Sequence, residues 1–432
     1  MRLFYRHVPH SLRDWVSGLL VARASARAKF VRTENWDRWI PAQTNVSFEG
    51  QPIVDAHLGV NILGYMRGQF GLAESARMYA RALMAEGVHV ALCDIDLNLP
   101  HGWNDHSLDR WIGEETPYPV SIIFVNPDYL QSALEQVGRA RLEGRYLIAC
   151  WFWELERIPD EWLPALALVD EIMVASAFVE DAFRRVTDKP ILRVPLPLSP
   201  VPDSGLQRAD FGLEEGKFIF LVTFDFNSWI ARKNPFAAVE AFRLAFPAKR
   251  DDVRLLVKSS NGFRYPDKLR ALLNLGALDS RIIIRDDVID RAHVRALQRC
   301  CDAYVSLHRA EGFGLGLAEC MALGKPVVAT GWSGNLEFMK QANSCLVEFR
   351  LVNVAEGEYP HPSGAQWADP DLHSAAALMR RLVEDSAYRM ALGEAAKRSV
   401  RQHLSPYRSV KLLNSRLNAI TLQHNASINP LK

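Results

Sequence analysis

Glu311-Gly312-Phe313-Gly314-Leu315-Gly316-Leu317-Ala318-Glu319 follows a short apolar run, Ala303–Leu307, and opens a helical pattern that ends near Gly324. Lys325-Pro326-Val327-Val328-Ala329-Thr330 then starts another strand-like run. Strand, glycine-rich turn and helix in that order is the repeating unit of a doubly wound parallel sheet. Three glycines let backbone N–H groups come close to a ligand. The first N–H groups of the helix are unpaired and sit at the positive end of its dipole, which suits an anion. Glu311 and Glu319 frame the turn. Carboxylates beside a phosphate repel it unless they point at hydroxyls, so this pair suits the hydroxyls of a sugar and a ribose.

Outward from this segment the same alternation continues from about Pro52 to about Ala395. Runs rich in β-branched and apolar residues read as buried parallel strands: Val88–Ile95, Val120–Val125, Tyr146–Cys150, Glu171–Ala175, Phe218–Phe224, Val253–Val257, Arg281–Ile284, Ala303–Leu307 and Pro326–Ala329. Helical patterns fall between them, among them Ala73–Glu86, Pro235–Phe246 and His293–Cys301. Val194–Pro202 carries four prolines, which remove donors and stiffen the chain, so it reads as an extended linker between two α/β units. Beyond Ala395 the chain is helical through Ser409–Thr421 with no strand to follow, a tail that must pack on something already built. The division expected is a basic extension at 1–52, a first domain at 53–200, a second at 206–395 and a helical tail at 396–432.

Phe224-Asp225-Phe226-Asn227-Ser228-Trp229-Ile230-Ala231-Arg232-Lys233-Asn234-Pro235 lies where the first strand of the second domain ends. Ligands of such sheets bind at the carboxyl ends of the strands, so Arg232 and Lys233 point toward the crevice. Fixed cations there stabilise the charge that develops on a diphosphate leaving group and remove the need for a metal. The bland alternative is a solvated basic pair.

The glutamates separated by seven residues around Gly-Phe-Gly resemble the donor-site signature of family 4 glycosyltransferases of the GT-B fold. The resemblance runs on through Ala322–Thr330 and Ser333-Gly334-Asn335, covering most of the second domain and, more weakly, the first. It implies two facing Rossmann-like domains with parallel sheets and a C-terminal helix that crosses back. It also implies retention of anomeric configuration, with front-side attack assisted by the leaving phosphate. By the same resemblance Glu311 contacts the transferred hexose, Glu319 the ribose, and the backbone of Gly312, Phe313, Gly314 and Leu315 the hexose hydroxyls and phosphate. Lys233 matches the family lysine. The usual upstream arginine is missing, with Asn227 or Ser228 in its region, and Arg232 or Lys258 is left to supply the second charge. His308, just before the signature, is read as a donor-sugar contact, with a packed histidine as the alternative.

Leu63–Arg77 repeats the pattern of strand, glycine turn and helix, and looks like the family's first-domain loop at Gly71 that closes over donor and acceptor. Taken alone it fits any nucleotide-binding turn, and Asp94 and Asp96 keep a nicotinamide oxidoreductase in view. Asn126 stands where many family members carry a histidine. Trp153 and Glu154, after Tyr146–Cys150, suit a sugar acceptor, the ring stacking on a pyranose and the carboxylate binding or deprotonating a hydroxyl. Equally, the rings are core and Glu154 caps a helix.

The net charge of +1 over 432 residues excludes a chain built to hold nucleic acid. Six cysteines, none in a CxxC pair, read as reduced thiols of a cytoplasmic protein. Residues 1–32 carry seven Arg/Lys against Asp14, beside Leu12, Trp15, Val16, Leu19 and Leu20 at helical spacing. They read either as a basic amphipathic helix on the inner face of an anionic plasma membrane or as a solvated helix packed on the domain. The partners expected are a nucleotide-sugar donor, with GDP-mannose and UDP-hexoses leading, and a saccharide or lipid-linked acceptor of a surface polysaccharide. No cofactor or metal is expected. A non-catalytic sugar-nucleotide-binding protein of the same fold is the rival reading.

Overall fold

Val60 to Leu63 and Ile219 to Val222 are buried along their whole length, as strands covered by helices on both faces must be. A computed structural model describes residues 59–200 and 203–428 and assembles these runs into two sheets of six parallel strands. The first contains β1 (Gly59–Gly64), β2 (His89–Asp94), β3 (Val120–Phe124), β4 (Tyr146–Cys150), β5 (Glu171–Val174) and β6 (Ile191–Arg193), in the order β2-β1-β3-β4-β5-β6. The second contains β7 (Phe218–Asp225), β8 (Val253–Ser260), β9 (Ile282–Asp286), β10 (Ala303–Ser306), β11 (Val327–Thr330) and β12 (Cys345–Val347), in the order β12-β11-β10-β7-β8-β9. The strand order reverses between β1 and β3 and between β7 and β10, the two places where such sheets open a crevice for ligand. This is the GT-B architecture expected from the sequence. The basic segment 1–32 lies outside the described residues.

Five helices matter for the site: α1 (Gly71–Ala85) after β1, α2 (Ile230–Lys233) after β7, α3 (Arg291–Cys300) after β9, α4 (Leu315–Ala322) after β10, and the tail helix α5 (Pro406–Ile428). From the end of the chain α5 returns to the first domain. Val410, Leu413, Leu417 and Ile420 join the cluster that includes Val60, Tyr79 and Phe124. Arg416 donates to both oxygens of Glu171 on β5, at 2.7 to 3.0 Å. The described part of the proline-rich segment, residues 194–200, lies in no strand or helix, and it is not free. Val194, Leu196 and Leu198 are buried, Leu198 N–H donates to the Leu404 carbonyl at 2.7 Å, and Ser409 Oγ donates to the Pro195 carbonyl at 2.8 Å.

An antiparallel hairpin, β13 (Phe349–Asn353) with β14 (Gln366–Pro370), was not foreseen. Phe349, Arg350, Leu351 and Asn353 are exposed, so β13 lacks the continuous apolar run of a buried strand and gives no such signal.

Candidate functional site

The carboxyl ends of β7 and β10 bring Lys233, Arg232 and Glu311 together. Lys233 Nζ donates to Glu311 Oε1 at 2.5 Å, and Arg232 Nη1 donates to Glu311 Oε2 at 3.2 Å and to the Ala310 carbonyl at 2.9 Å. Asn234, with φ +50°, ends α2 in the left-handed conformation, which asparagine tolerates, and Pro235 starts the next helix. Burial alone would raise the Glu311 carboxyl, but Lys233 and Arg232 beside it outweigh that and hold it at about 2. Burial pushes the Lys233 ammonium below its ordinary value, Glu311 opposes this, and Arg232 adds to it.

The cluster crosses the domain boundary. Glu154, from the turn after β4, lies 3.6 Å from Arg232 Nη2 and accepts a hydrogen bond from the Tyr359 hydroxyl. Tyr359 stands in the loop between β13 and β14. Its ring packs against Trp153, Trp229 and Trp367 with centroids 5.6, 6.0 and 6.3 Å away, and Arg232 Cζ lies 5.8 Å from its centroid. Sequence reading did not find Tyr359, because its partner Glu154 is 205 residues away along the chain. Two carboxylates and two cations therefore balance here.

The glycine turn is braced on one side and open on the other. Glu311 N–H donates to Ser333 Oγ and Gly334 N–H to the Glu311 carbonyl, both at 2.8 Å. A Cβ on Gly334 would stand 2.1 Å from the Gly312 carbonyl oxygen, so the Ser-Gly-Asn segment needs its glycine to lie against the signature. From the first domain, Ser176 Oγ donates to the Gly312 carbonyl at 2.6 Å. Gly314 has φ +92° and precedes α4. Phe313 is buried against Phe338, and the amides of Phe313, Gly314 and Leu315 have no protein acceptor among the described residues. The start of α4 is thus able to take an anion.

The other expected site residues make contacts of their own, with His308 still near enough to act on Glu311. Lys258 is buried and donates to the carbonyls of Ser259 at 2.8 Å and Asp287 at 2.6 Å, away from the Lys233 cluster. Asn227 Nδ2 donates to the Pro100 carbonyl at 2.9 Å, another contact between the domains. His308 is fully buried. Its Nδ1 meets Ser306 Oγ at 3.0 Å and its Nε2 meets Asn335 Oδ1 at 3.2 Å, the surroundings of a packed histidine. Asn126 exchanges two hydrogen bonds with the Phe152 backbone at 3.0 and 3.1 Å, which fixes the turn that carries Glu154. Trp153 is buried, donates to the Arg157 carbonyl at 2.7 Å and lies 4.6 Å from Trp162, ring to ring, so its indole is core. Gly71 begins α1, with open space where a Cβ would stand.

Glu319 occupies a second cluster. It is buried on α4 and pairs with Arg291, with Gln298 Nε2 at 3.1 Å and with Arg295 at 3.8 Å, all from α3. Arg291, Arg295 and Gln298 recur at helical spacing on one face, a signal present in the sequence but not read there.

Residues 222–355 match the family described as "Glycosyl transferases group 1". Among solved structures, the chain is similar to sucrose-phosphate synthase from Thermosynechococcus elongatus at 17% identity and TM-score 0.60, covering 84% of this chain and 100% of that one. HepE from Anabaena, solved with UDP and glucose, matches at 16% identity and TM-score 0.58 over 84% of this chain and 100% of that one. A glycosyltransferase from Rickettsia africae matches at 14% identity and TM-score 0.59 over 84% and 98%. No curated protein matches by sequence at significance. The family match lies in the second domain, where the signature was read, and the structural likeness extends the same fold over both domains.

Proposed function

We propose that the chain is a retaining glycosyltransferase that moves a hexose from a nucleotide-sugar donor to a saccharide or lipid-linked saccharide without a metal ion. The observation that carries this reading is the cluster of Lys233, Arg232 and Glu311 at the strand reversal of the second sheet, beside the open amides at the start of α4. The donor diphosphate takes those amides and draws Lys233 from Glu311, which is then free to accept from a hexose hydroxyl. As the bond from the anomeric carbon to the phosphate oxygen breaks, Lys233 and Arg232 stabilise the charge left on the diphosphate. The acceptor oxygen bonds to the same face of the anomeric carbon and its proton passes to that phosphate oxygen. Glu154 lies on the acceptor side.

HepE was solved with UDP-glucose, which puts UDP-hexoses first in a donor screen, with GDP-mannose beside them. The test is release of UDP or GDP from UDP-glucose, UDP-galactose, UDP-N-acetylglucosamine and GDP-mannose, with NMR of the product anomer. Acceptor-dependent release that persists in EDTA, with the configuration retained, is expected. Loss in EDTA restored by magnesium or manganese would sink the metal-free reading.

The basic residues 1–32 support a place at the inner face of an anionic membrane, in assembly of a surface polysaccharide. Co-sedimentation with anionic vesicles, lost on deletion of 1–32 and weakened by salt, tests that placement.

A further inference from the structure

Glu319 is not a bare carboxylate. It is 4% exposed and shares its oxygens among Arg291, Arg295 and Gln298. Gln298 is 1% exposed and its Oε1 has no hydrogen-bond partner, nor have Arg291 Nε and Arg295 Nε, so the groups around Glu319 hold buried polar capacity that the protein itself does not use. Such groups are costly to bury unmatched, and a ligand bearing hydroxyls satisfies them.

The first domain reaches the same arginines. Glu74, on α1, is 6% exposed and lies 3.5 Å from Arg291 Nε and 3.9 Å from Arg295 Nη2. It also pairs with Arg77 at 2.8 Å, while Arg77 in turn lies 3.2 Å from Asp105. Burial would raise the Glu74 carboxyl, but Arg291, Arg77, Arg81 and Arg295 hold it at about 2. Burial, with Arg291 adding, pushes Arg295 down to about 10. Four guanidinium groups from two domains, those of Arg77, Arg81, Arg291 and Arg295, thus act on two buried carboxylates, one from each domain, and Asp105 adds a further charge beside Arg77 and Arg291.

We infer that Glu74 is a positioning residue for nucleotide binding: it competes with Glu319 for Arg291 and thereby leaves the Glu319 carboxylate able to accept from the ribose hydroxyls. The inference rests on the reading that Glu319 takes the ribose. A guanidinium has five donors and serves two carboxylates at once, each more weakly than it would serve one alone. Without Glu74, Glu319 is the one close carboxylate left to Arg291 and Arg295, and the ribose has to displace a tighter ion pair. The first domain thereby takes part in holding the nucleotide without touching it.

The test is titration calorimetry with UDP and with GDP on full-length wild type, E74Q, R291Q, the E74Q/R291Q double variant and E319Q. For the nucleotide that binds, E74Q is expected to weaken affinity roughly tenfold, the scale of coupling between residues in one charge network. In the R291Q background the same change is expected to cost no more than about twofold, because only the more distant sharing of Arg295 is left. A merely structural role would give equal losses in both backgrounds, and that result, or unchanged affinity in E74Q, overturns the inference. If E74Q does not fold, R291Q and the double variant suffice, since the double variant removes one charge of each sign. Affinities within about twofold of each other are expected of the two, and a further tenfold loss in the double variant overturns the inference. E319Q separates this inference from the reading beneath it. Lost affinity in E319Q with none lost in E74Q sinks only the role of Glu74. Full affinity in E319Q, or no binding of either nucleotide by wild type, sinks the ribose reading and the inference together.

Discussion

The two domains carry the same local pattern, strand, glycine turn and helix, and tie it down to different extents. In the first domain the turn after β1 is tied down as far as Gln69, while the amides of Phe70, Gly71 and Leu72 at the start of α1 have no protein acceptor among the described residues. Arg77 donates to the carbonyls of Met66 at 3.0 Å and Gly68 at 2.7 Å, and the Met66 amide donates to Asp94 at 2.8 Å. The Gly68 and Gln69 amides are taken by the carbonyls of Tyr65 and Gly102. Arg67 is tied to Asp94 and Asp109 at 2.9 and 3.0 Å. In the second domain the carbonyls of the turn are engaged, while the amides of Phe313, Gly314 and Leu315 stay open. A glycine-rich turn therefore does not announce a phosphate site by composition. What separates the two turns is that cations and a carboxylate, Lys233, Arg232 and Glu311, gather beside the open amides of the second.

The largest expected effect is on the second turn of this comparison. Removing the charge of Lys233 or Glu311 is expected to lower turnover roughly 100- to 1000-fold, the range for losing a preorganised electrostatic contact. Arg67→Ala, in the first turn, is expected to leave turnover within a few-fold. The measurement is steady-state UDP or GDP release. Comparable losses in Arg67→Ala and Lys233→Ala would erase the distinction between the turns.

Next come the glycines. Gly314→Ala places a Cβ at φ +92° and 2.7 Å from Leu317 Cδ1, which costs about 1–2 kcal/mol from the backbone conformation alone and shifts the open amides. Nucleotide affinity is expected to fall with it. Gly71→Ala meets open space without a left-handed backbone and is expected to change neither stability nor affinity beyond error. Calorimetry on the two variants checks the pair, and a loss in Gly71→Ala would give the first turn a direct ligand role.

What could be read in advance follows the same physics. Strands such as β3, β4 and β7 announced themselves because a parallel strand is apolar on both faces. Lys233 and Glu311 were legible because the turn chemistry that places them is local. Tyr359 was not, since it meets Glu154 only through tertiary folding and sits in a hairpin with exposed strands. Arg291 was visible in the sequence as a charged position on a helix, but its partners Glu74 and Glu319 lie on two other helices in two domains. Lys258 and His308 stood in the right places along the chain, yet nearby backbone and side-chain groups satisfy them inside the second domain.

Acid stability gives the two turns opposite signs. The folded-state pKa of Glu311 is lowered from 4.5 to about 2, so its contribution to stability is fully present above about 4.5 and is lost as pH falls from there toward 2. Burial raises the Asp94 carboxyl above its ordinary 3.8, with Arg67 only partly offsetting it, so the folded state takes up this proton first and stability gains slightly as pH falls through that region. Between pH 6 and pH 3, Glu311→Gln is expected to lose less stability than wild type and Asp94→Asn to lose more. Urea titrations at the two pH values measure this, and parallel losses in all three proteins would show that neither carboxylate controls the slope.

The smallest effect is expected at the place where the two domains share a hydrogen bond across the site. Tyr359→Phe removes one oxygen and keeps the ring, so the packing on Trp153, Trp229 and Trp367 and the approach to Arg232 are retained. What is lost is the hydrogen bond to Glu154, whose carboxylate is about one-fifth exposed and can turn to water instead. That exposure keeps the cost near the low end for a bond to a charged group, roughly 1.5 kcal/mol. Burial first, and then Glu154, push the Tyr359 phenol well above its ordinary value, so it remains a donor at alkaline pH and the difference between wild type and Tyr359→Phe should hold across neutral and mildly alkaline conditions. Nucleotide affinity is expected to be unchanged, because the hydroxyl touches neither Lys233 nor the open amides. Transfer to the acceptor is expected to fall a few-fold as Glu154 loses its fixed position. Tyr359→Ala, which also empties the space among three tryptophans, should cost several times more in stability. Equal transfer rates for wild type and Tyr359→Phe would show that Arg232 alone positions Glu154.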